Sequence, residues 1–327
     1  MGLTWGGAPR AGGPALVLAV TLAMLCSLGL VLAGPARGEV AVVAATPDLK
    51  SLVEAVAAGS ARVVSLVPPG VNAEGFEARP SHLAEVRGAA LVVRVGLGYD
   101  DWLDRLLAQA AAGGGDPRLR RGGERHLDLS TGVALLEVQG RSVEARGGHA
   151  HGAANPHYWL DPANAEPMSA AIAEALVRIN PERREAIEAA QARFVADLKG
   201  RLERWGARLG PHRAAPLVAY HNSWPYFARR FRLDIVEVIE AKEGVPPSAA
   251  RLASLTALMR KRAVRAILHE AFEPDEASRA LAKRTGARVV RLAPSVGALP
   301  GTDDYLSLFD RNVEALAGAL EAEPAAR

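Results

Sequence analysis

Eight histidines and one cysteine set the limits of what this chain can do chemically. Cys26 lies inside an apolar run near the N-terminus, so the rest of the chain offers no thiolate ligand and no cysteine nucleophile. Any metal site must therefore be built from imidazoles and carboxylates. Two histidines are placed for that work. His157 sits in Asn155-Pro156-His157-Tyr158-Trp159-Leu160-Asp161-Pro162, and His221 in Ala219-Tyr220-His221-Asn222-Ser223-Trp224-Pro225-Tyr226-Phe227. Both segments are aromatic and contain proline. Bulky neighbours leave an imidazole few rotamers, and a pre-oriented ring is what a metal site needs.

Two carboxylates complete the candidate set. Glu74 follows a strand-like run, and Glu270 ends another. Imidazole with carboxylate suits zinc, and also manganese or iron. Each residue has a plainer reading. A lone loop histidine is more often a surface hydrogen-bonding group, Glu74 could be solvated, and Glu270 could brace an interface. His269 alternates with Glu270 along the same strand, so its side chain points to the other face. His149 and His151 form a short His-x-His in the glycine-rich segment 147–154, which reads as a flexible loop. His82, His126 and His212 have no partner that the sequence identifies.

The elements that must position these residues alternate. Residues 40–44 are a short apolar run, and Thr46-Pro47-Asp48 opens a helix to about residue 58, with Thr46 as N-cap. Strands follow at 61–67 and 89–95, with helices from residue 80 and over 100–112. This β-α-β-α order argues for a parallel sheet covered on both faces. Helices are expected over 163–180 and 181–209, the second reading as a spine between lobes. A second alternating unit follows, with strands at 216–220, 233–239, 264–270 and 287–292 and helices at 223–231, 248–262, 275–285 and 303–320. The expected organisation is an α/β chain of two (β/α) lobes with parallel sheets, 39–180 and 211–327, joined by a long helix at 181–210. In open α/β sheets, ligands bind beyond the carboxyl ends of the strands. His221, Glu270 and Glu74 all follow or end strands, so the expected ligand cleft lies between the lobes.

Residues 1–38 read as a secretory signal peptide. Arg10 precedes an apolar run over 15–33, and Ala36 and Gly38 fit a cut before Glu39. An uncleaved anchor is the alternative reading of that run. The formal net charge is +3, falling to +1 without Arg10 and Arg37. With no concentrated basic tract and no zinc-finger spacing, nucleic acid is not an expected partner.

The chain resembles the periplasmic metal-binding receptors of ABC importers that serve zinc and manganese uptake. Leu66-Val67-Pro68-Pro69-Gly70 with Arg79-Pro80-Ser81 resembles the family's first ligand loop. The segments around His157 and His221 resemble the second and third, and Ser295-Val296-Gly297 with Asp304-Tyr305 resembles the C-terminal segment. The resemblance implies two (β/α) lobes about one long helix, a bound divalent metal, and delivery to a membrane permease by a monomeric exported protein. His157 and His221 carry over as ligands. Glu74 stands where the family usually has His, and Pro294 where it usually has Asp, so Glu270, Glu77, Asp303 or water is left to fill the fourth position. Zinc is the first expectation for the cargo and manganese the second. Two other readings stay open. One is a zinc hydrolase with two histidines, a carboxylate and an open water position. The other is a receptor fold whose degenerate metal site binds a different ligand or partner.

Overall fold

A computed structural model describes residues 1–3, 6, 39–136, 154–242 and 244–322 of the chain. Most of the expected signal segment, and both His149 and His151, lie outside the described residues. Among the described residues no helix is long and apolar enough to cross a membrane.

The first sheet is built from β1 (Val40–Ala44), β2 (Ala61–Ser65), β3 (Leu91–Arg94) and β4 (His126–Asp128). Its order is β2-β1-β3-β4, and all pairings are parallel. The second sheet has β5 (Pro216–Ala219), β6 (Asp234–Val238), β7 (Ala266–Glu270) and β8 (Arg288–Leu292), ordered β6-β5-β7-β8 and also parallel. The two sheets thus repeat one topology. In each, the chain first adds a strand on one side of the opening strand and then crosses to the other side. That reversal leaves a crevice at the carboxyl ends of the two central strands.

The helices that cover these sheets follow their sequence signals. In α1 (Pro47–Ala57) the Thr46 side chain accepts from Leu49 N, Pro47 occupies the first turn, and Ala58 ends the helix in the left-handed region. The N-terminal lobe adds α2 (Pro80–Arg87), α3 (Trp102–Ala112) and α4 (Ala165–Ile179). The spine helix α5 spans Arg184–Leu209, 26 residues and about 39 Å of rise. Its buried positions, Ile187, Ala190, Phe194, Leu198, Trp205 and Leu209, form one stripe. The C-terminal lobe carries α6 (Pro225–Phe231), α7 (Ala249–Lys261), α8 (Glu276–Thr285) and α9 (Tyr305–Glu321). The spine packs on α1 and α4 of the first lobe and on α9 of the second, so its one apolar face serves both. One hydrophobic core accordingly runs through both lobes.

Polar contacts join the lobes near the loops that carry His157 and His221. Arg230 donates to both oxygens of the fully buried Asp161, at 2.6 and 3.1 Å. Asn155 Nδ2 donates to Asn222 O at 3.0 Å, and the Tyr226 hydroxyl to Asn155 O at 2.9 Å. Trp159 Nε1 donates to Pro294 O at 3.0 Å, and the Tyr305 hydroxyl to Trp159 O at 2.5 Å. Tyr226 and Asn155 therefore hold the two histidine loops against each other, and Trp159 ties the His157 loop to the segment after β8.

The segment after β8 closes on the first lobe at Gly297. Its φ is +75°, and a Cβ there would lie 2.7 Å from Pro69 Cβ. Gly297→Ala combines left-handed backbone with a clash against a rigid ring. We expect a loss of about 1–3 kcal/mol, read as a lower urea midpoint at unchanged m-value. An unchanged midpoint would show that this contact carries no stability.

Candidate metal centre

His221 stands two residues beyond β5, at the crevice of the second sheet. The β5–β7 ladder pairs Ala219 with Leu268, and the same register carried forward sets His221 beside Glu270. On the first lobe, Glu74 lies in the loop between β2 and α2. That loop is shaped by Asn72, whose Oδ1 accepts from Glu74 N at 3.0 Å, and by Trp102 Nε1, which donates to Ala73 O at 3.0 Å. His157 is fixed by Asn155 Oδ1, which lies 3.0 Å from the His157 backbone N and 3.1 Å from Nδ1. An amide oxygen can only accept, so Nδ1 carries a proton and Nε2 is the nitrogen left to face Glu74.

These placements bring the two rings and one carboxylate together. His157 Nε2 is 3.3 Å from Glu74 Oε1, His221 Nε2 is 3.7 Å from Glu74 Oε2, and the ring centroids are 5.6 Å apart. Ligand atoms of Glu74, His157 and His221 all lie within 4.8 Å of one another. In a tetrahedral shell with bonds of 2.0–2.2 Å the ligand atoms would be about 3.4 Å apart, so a small contraction would seat an ion. The three side chains are buried, Glu74 at 8% exposure. The cavity they line offers ≈ 20 Å³ to the centre of a water-sized sphere. That volume is about one water and far below an organic solute.

Glu270 lines the same cavity and is not one of the three clustered residues. Its Oε1 accepts from Ser223 Oγ at 3.0 Å and Trp224 Nε1 at 2.7 Å. Its Oε2 is buried with no hydrogen-bond partner among the described residues. Burial pushes its carboxyl up to about 7, against the pull of His221 and these hydrogen bonds. At His221, burial opposes charging. The hydrogen bond to Glu240, followed by the charges of Glu74, Glu270 and Glu240, overcomes it and lifts the imidazole to about 9. The crevice thus gathers carboxylates around an imidazole, and their field favours positive charge there, whether a proton on the ring or an ion that replaces it. Pro294 contributes its ring and its carbonyl, with no ligand side chain. Glu77 and Asp303 are exposed and do not line the cavity. His269 is buried away from it, with Nδ1 at 3.0 Å from Ser278 Oγ and Nε2 at 3.2 Å from Glu273 O.

Reading the sequence alone misses Glu240 and Asp48. Asp48 is 1% exposed, lines the cavity, and accepts from Val296 N at 2.9 Å. An acid in a first helical turn is ordinary, so nothing local marks it. Burial pushes its carboxyl up to about 7, against that hydrogen bond. The unfolded chain loses this proton near 3.8 and the folded chain keeps it to about 7. The folded state therefore binds more protons in between, and stability falls as pH rises through that window. Asp48→Asn is expected to gain about 1–4 kcal/mol on the parent between pH 4 and pH 8. Urea unfolding with chelator at both pH values checks this, and an unchanged difference would show that Asp48 titrates normally.

Two α/β lobes of like topology, one helix serving both, and an ion-sized pocket of imidazole and carboxylate at the strand ends define a two-lobed ligand-binding receptor. The chain belongs to the ZnuA family, described as "Zinc-uptake complex component A periplasmic", which it matches over residues 42–319. It is 27% identical over 301 residues to a "Putative metal-binding protein" of Treponema pallidum (strain Nichols), covering 91% of each chain. It is also 27% identical over 301 residues to the "High-affinity zinc uptake system protein ZnuA" of Yersinia pestis, covering 88% of this chain and 94% of that one. Among solved structures, a zinc-bound ZnuA lacking residues 138–173 superposes with a TM-score of 0.72 at 28% identity, covering 88% of this chain and all of that one.

Proposed function

We propose that this protein captures one divalent transition-metal ion outside the cytoplasm and delivers it to an ABC permease. The observation that carries the reading is the convergence of Glu74, His157 and His221 within 4.8 Å in a buried pocket. His157 and His221 bind through Nε2, since each Nδ1 faces an oxygen. Glu74 reaches both rings and supplies hard oxygen. Glu270 is the fourth donor, because its free oxygen lies in the same cavity beside His221. Zinc is the first cargo and manganese the second, in keeping with the zinc-uptake relative. The exported, monomeric form, with lobes 39–180 and 211–327 about the helix 181–210, belongs to the same reading. The cavity volume favours an ion over an ester or phosphoester substrate.

The test is metal analysis of the freshly purified protein and calorimetric titration of the chelated form. One ion per chain is the expected result, and no binding of zinc or manganese would end the proposal. Glu270→Gln keeps the size and both accepted hydrogen bonds but removes the charge. Its zinc affinity is expected to fall about tenfold. An affinity within twofold of the parent would leave the fourth position to water.

A further inference from the structure

The second sheet explains why a carboxylate stands behind His221. In the β5–β6 ladder Leu217 pairs with Ile235, but Val218 pairs with Glu237, so the register shifts and Val236 is the extra residue. Carried forward at the first register, the residue alongside His221 would be Ile239. At the shifted register it is Glu240. A bulge beside a site re-aims a side chain in this way. The backbone agrees, since Glu240 N donates to Tyr220 O at 2.9 Å, one residue before His221.

The contact that results is short and buried. Glu240 Oε2 lies 2.7 Å from His221 Nδ1, within the range of charge-assisted hydrogen bonds. Glu240 Oε1 accepts from Gly244 N at 2.8 Å, so both oxygens are engaged. Glu240 is 4% exposed and His221 5%. A carboxylate can only accept, so Nδ1 carries a proton and Nε2, which faces Glu74 at 3.7 Å, is the nitrogen left for an ion.

We propose that Glu240 is a positioning residue for metal capture, fixing the tautomer and ring direction of His221 and raising the basicity of Nε2 toward the ion. The inference rests on the ligand role of His221 proposed above. Outer carboxylates of this kind are worth about 10–100-fold in metal affinity.

The test compares zinc affinity, by competition with a chromophoric chelator, in the full-length parent, E240Q and H221A. Expected are near-complete loss in H221A and a loss of about 10–100-fold in E240Q. If H221A is weakened and E240Q binds within twofold of the parent, the role of Glu240 is overturned and the ligand set stands. If H221A binds like the parent, both fall. Nitrogen-15 NMR of the zinc-loaded parent needs no variant to fold. A protonated Nδ1 on His221 with zinc on Nε2 supports the proposal, and zinc on Nδ1 overturns it.

Discussion

Zinc is expected to raise the melting temperature of this protein, and His157→Ala or His221→Ala to remove most of that rise. An ion bound only by the folded state stabilises it by RT ln(1 + [L]/Kd), about 2.7 kcal/mol at a hundredfold excess over Kd. For a chain of this size that is about 4 °C. The zinc increment is the quantity to compare, because the two variants differ without metal. His157→Ala loses a hydrogen bond to Asn155, which keeps its contact to Asn222 O. His221→Ala leaves the buried Glu240 with no imidazole and destabilises the metal-free protein. His221 also gives the metal-free state a pH dependence of defined sign. Its folded pKa, about 9, lies above the ordinary value of 6.5. Its contribution to stability is therefore complete below about 6.5 and lost as pH rises through about 9. Zinc must displace the same proton, so apparent zinc affinity is expected to climb over that range. Full zinc stabilisation in both alanine variants would show that neither imidazole is a ligand.

Most of the architecture was legible from local signals, and what was missed shows where local signals stop. Thr46-Pro47-Asp48 marked the start of α1, and the apolar runs marked seven strands to within two residues at either end. β4 escaped because it is only His126–Asp128, and three residues are too few for an alternation to stand out. Glu74, His157 and His221 were named because they stand in loops beyond or between regular elements, where side chains reach a cleft. Glu240 could not be named in that way. Its alignment with His221 depends on a one-residue register shift at Val236, and a periodic pattern cannot show which of two neighbouring residues a bulge selects. The contact of Asp48 with Val296 N joins residues 248 positions apart and is a product of lobe packing alone. The rings of Trp159, Trp224 and Tyr226 are buried, and the one polar atom of each reaches a partner around the cavity: Pro294 O, Glu270 Oε1 and Asn155 O.

Glu74 is where the cargo preference is expected to be set. Its two oxygens face one imidazole each, at 3.3 and 3.7 Å. An ion between the rings would replace those contacts with one or two Glu74–metal bonds. Glu74→Gln retains the shape but removes a full negative charge from a pocket at 8% side-chain exposure, where screening is weak. Zinc affinity should fall by about tenfold or more, and manganese affinity further, because manganese depends more on hard anionic oxygen. Glu74→His substitutes a softer nitrogen donor and should move preference toward zinc. The same substitution places three imidazoles around one point, so the metal-free protein should lose stability at low pH, where they would charge together. The decisive measurement is the ratio of zinc to manganese dissociation constants across parent, Glu74→Gln and Glu74→His. A ratio that stays within twofold in all three would mean that the Glu74 carboxylate turns away from the ion. The cavity would then bind metal through His157, His221 and the free oxygen of Glu270.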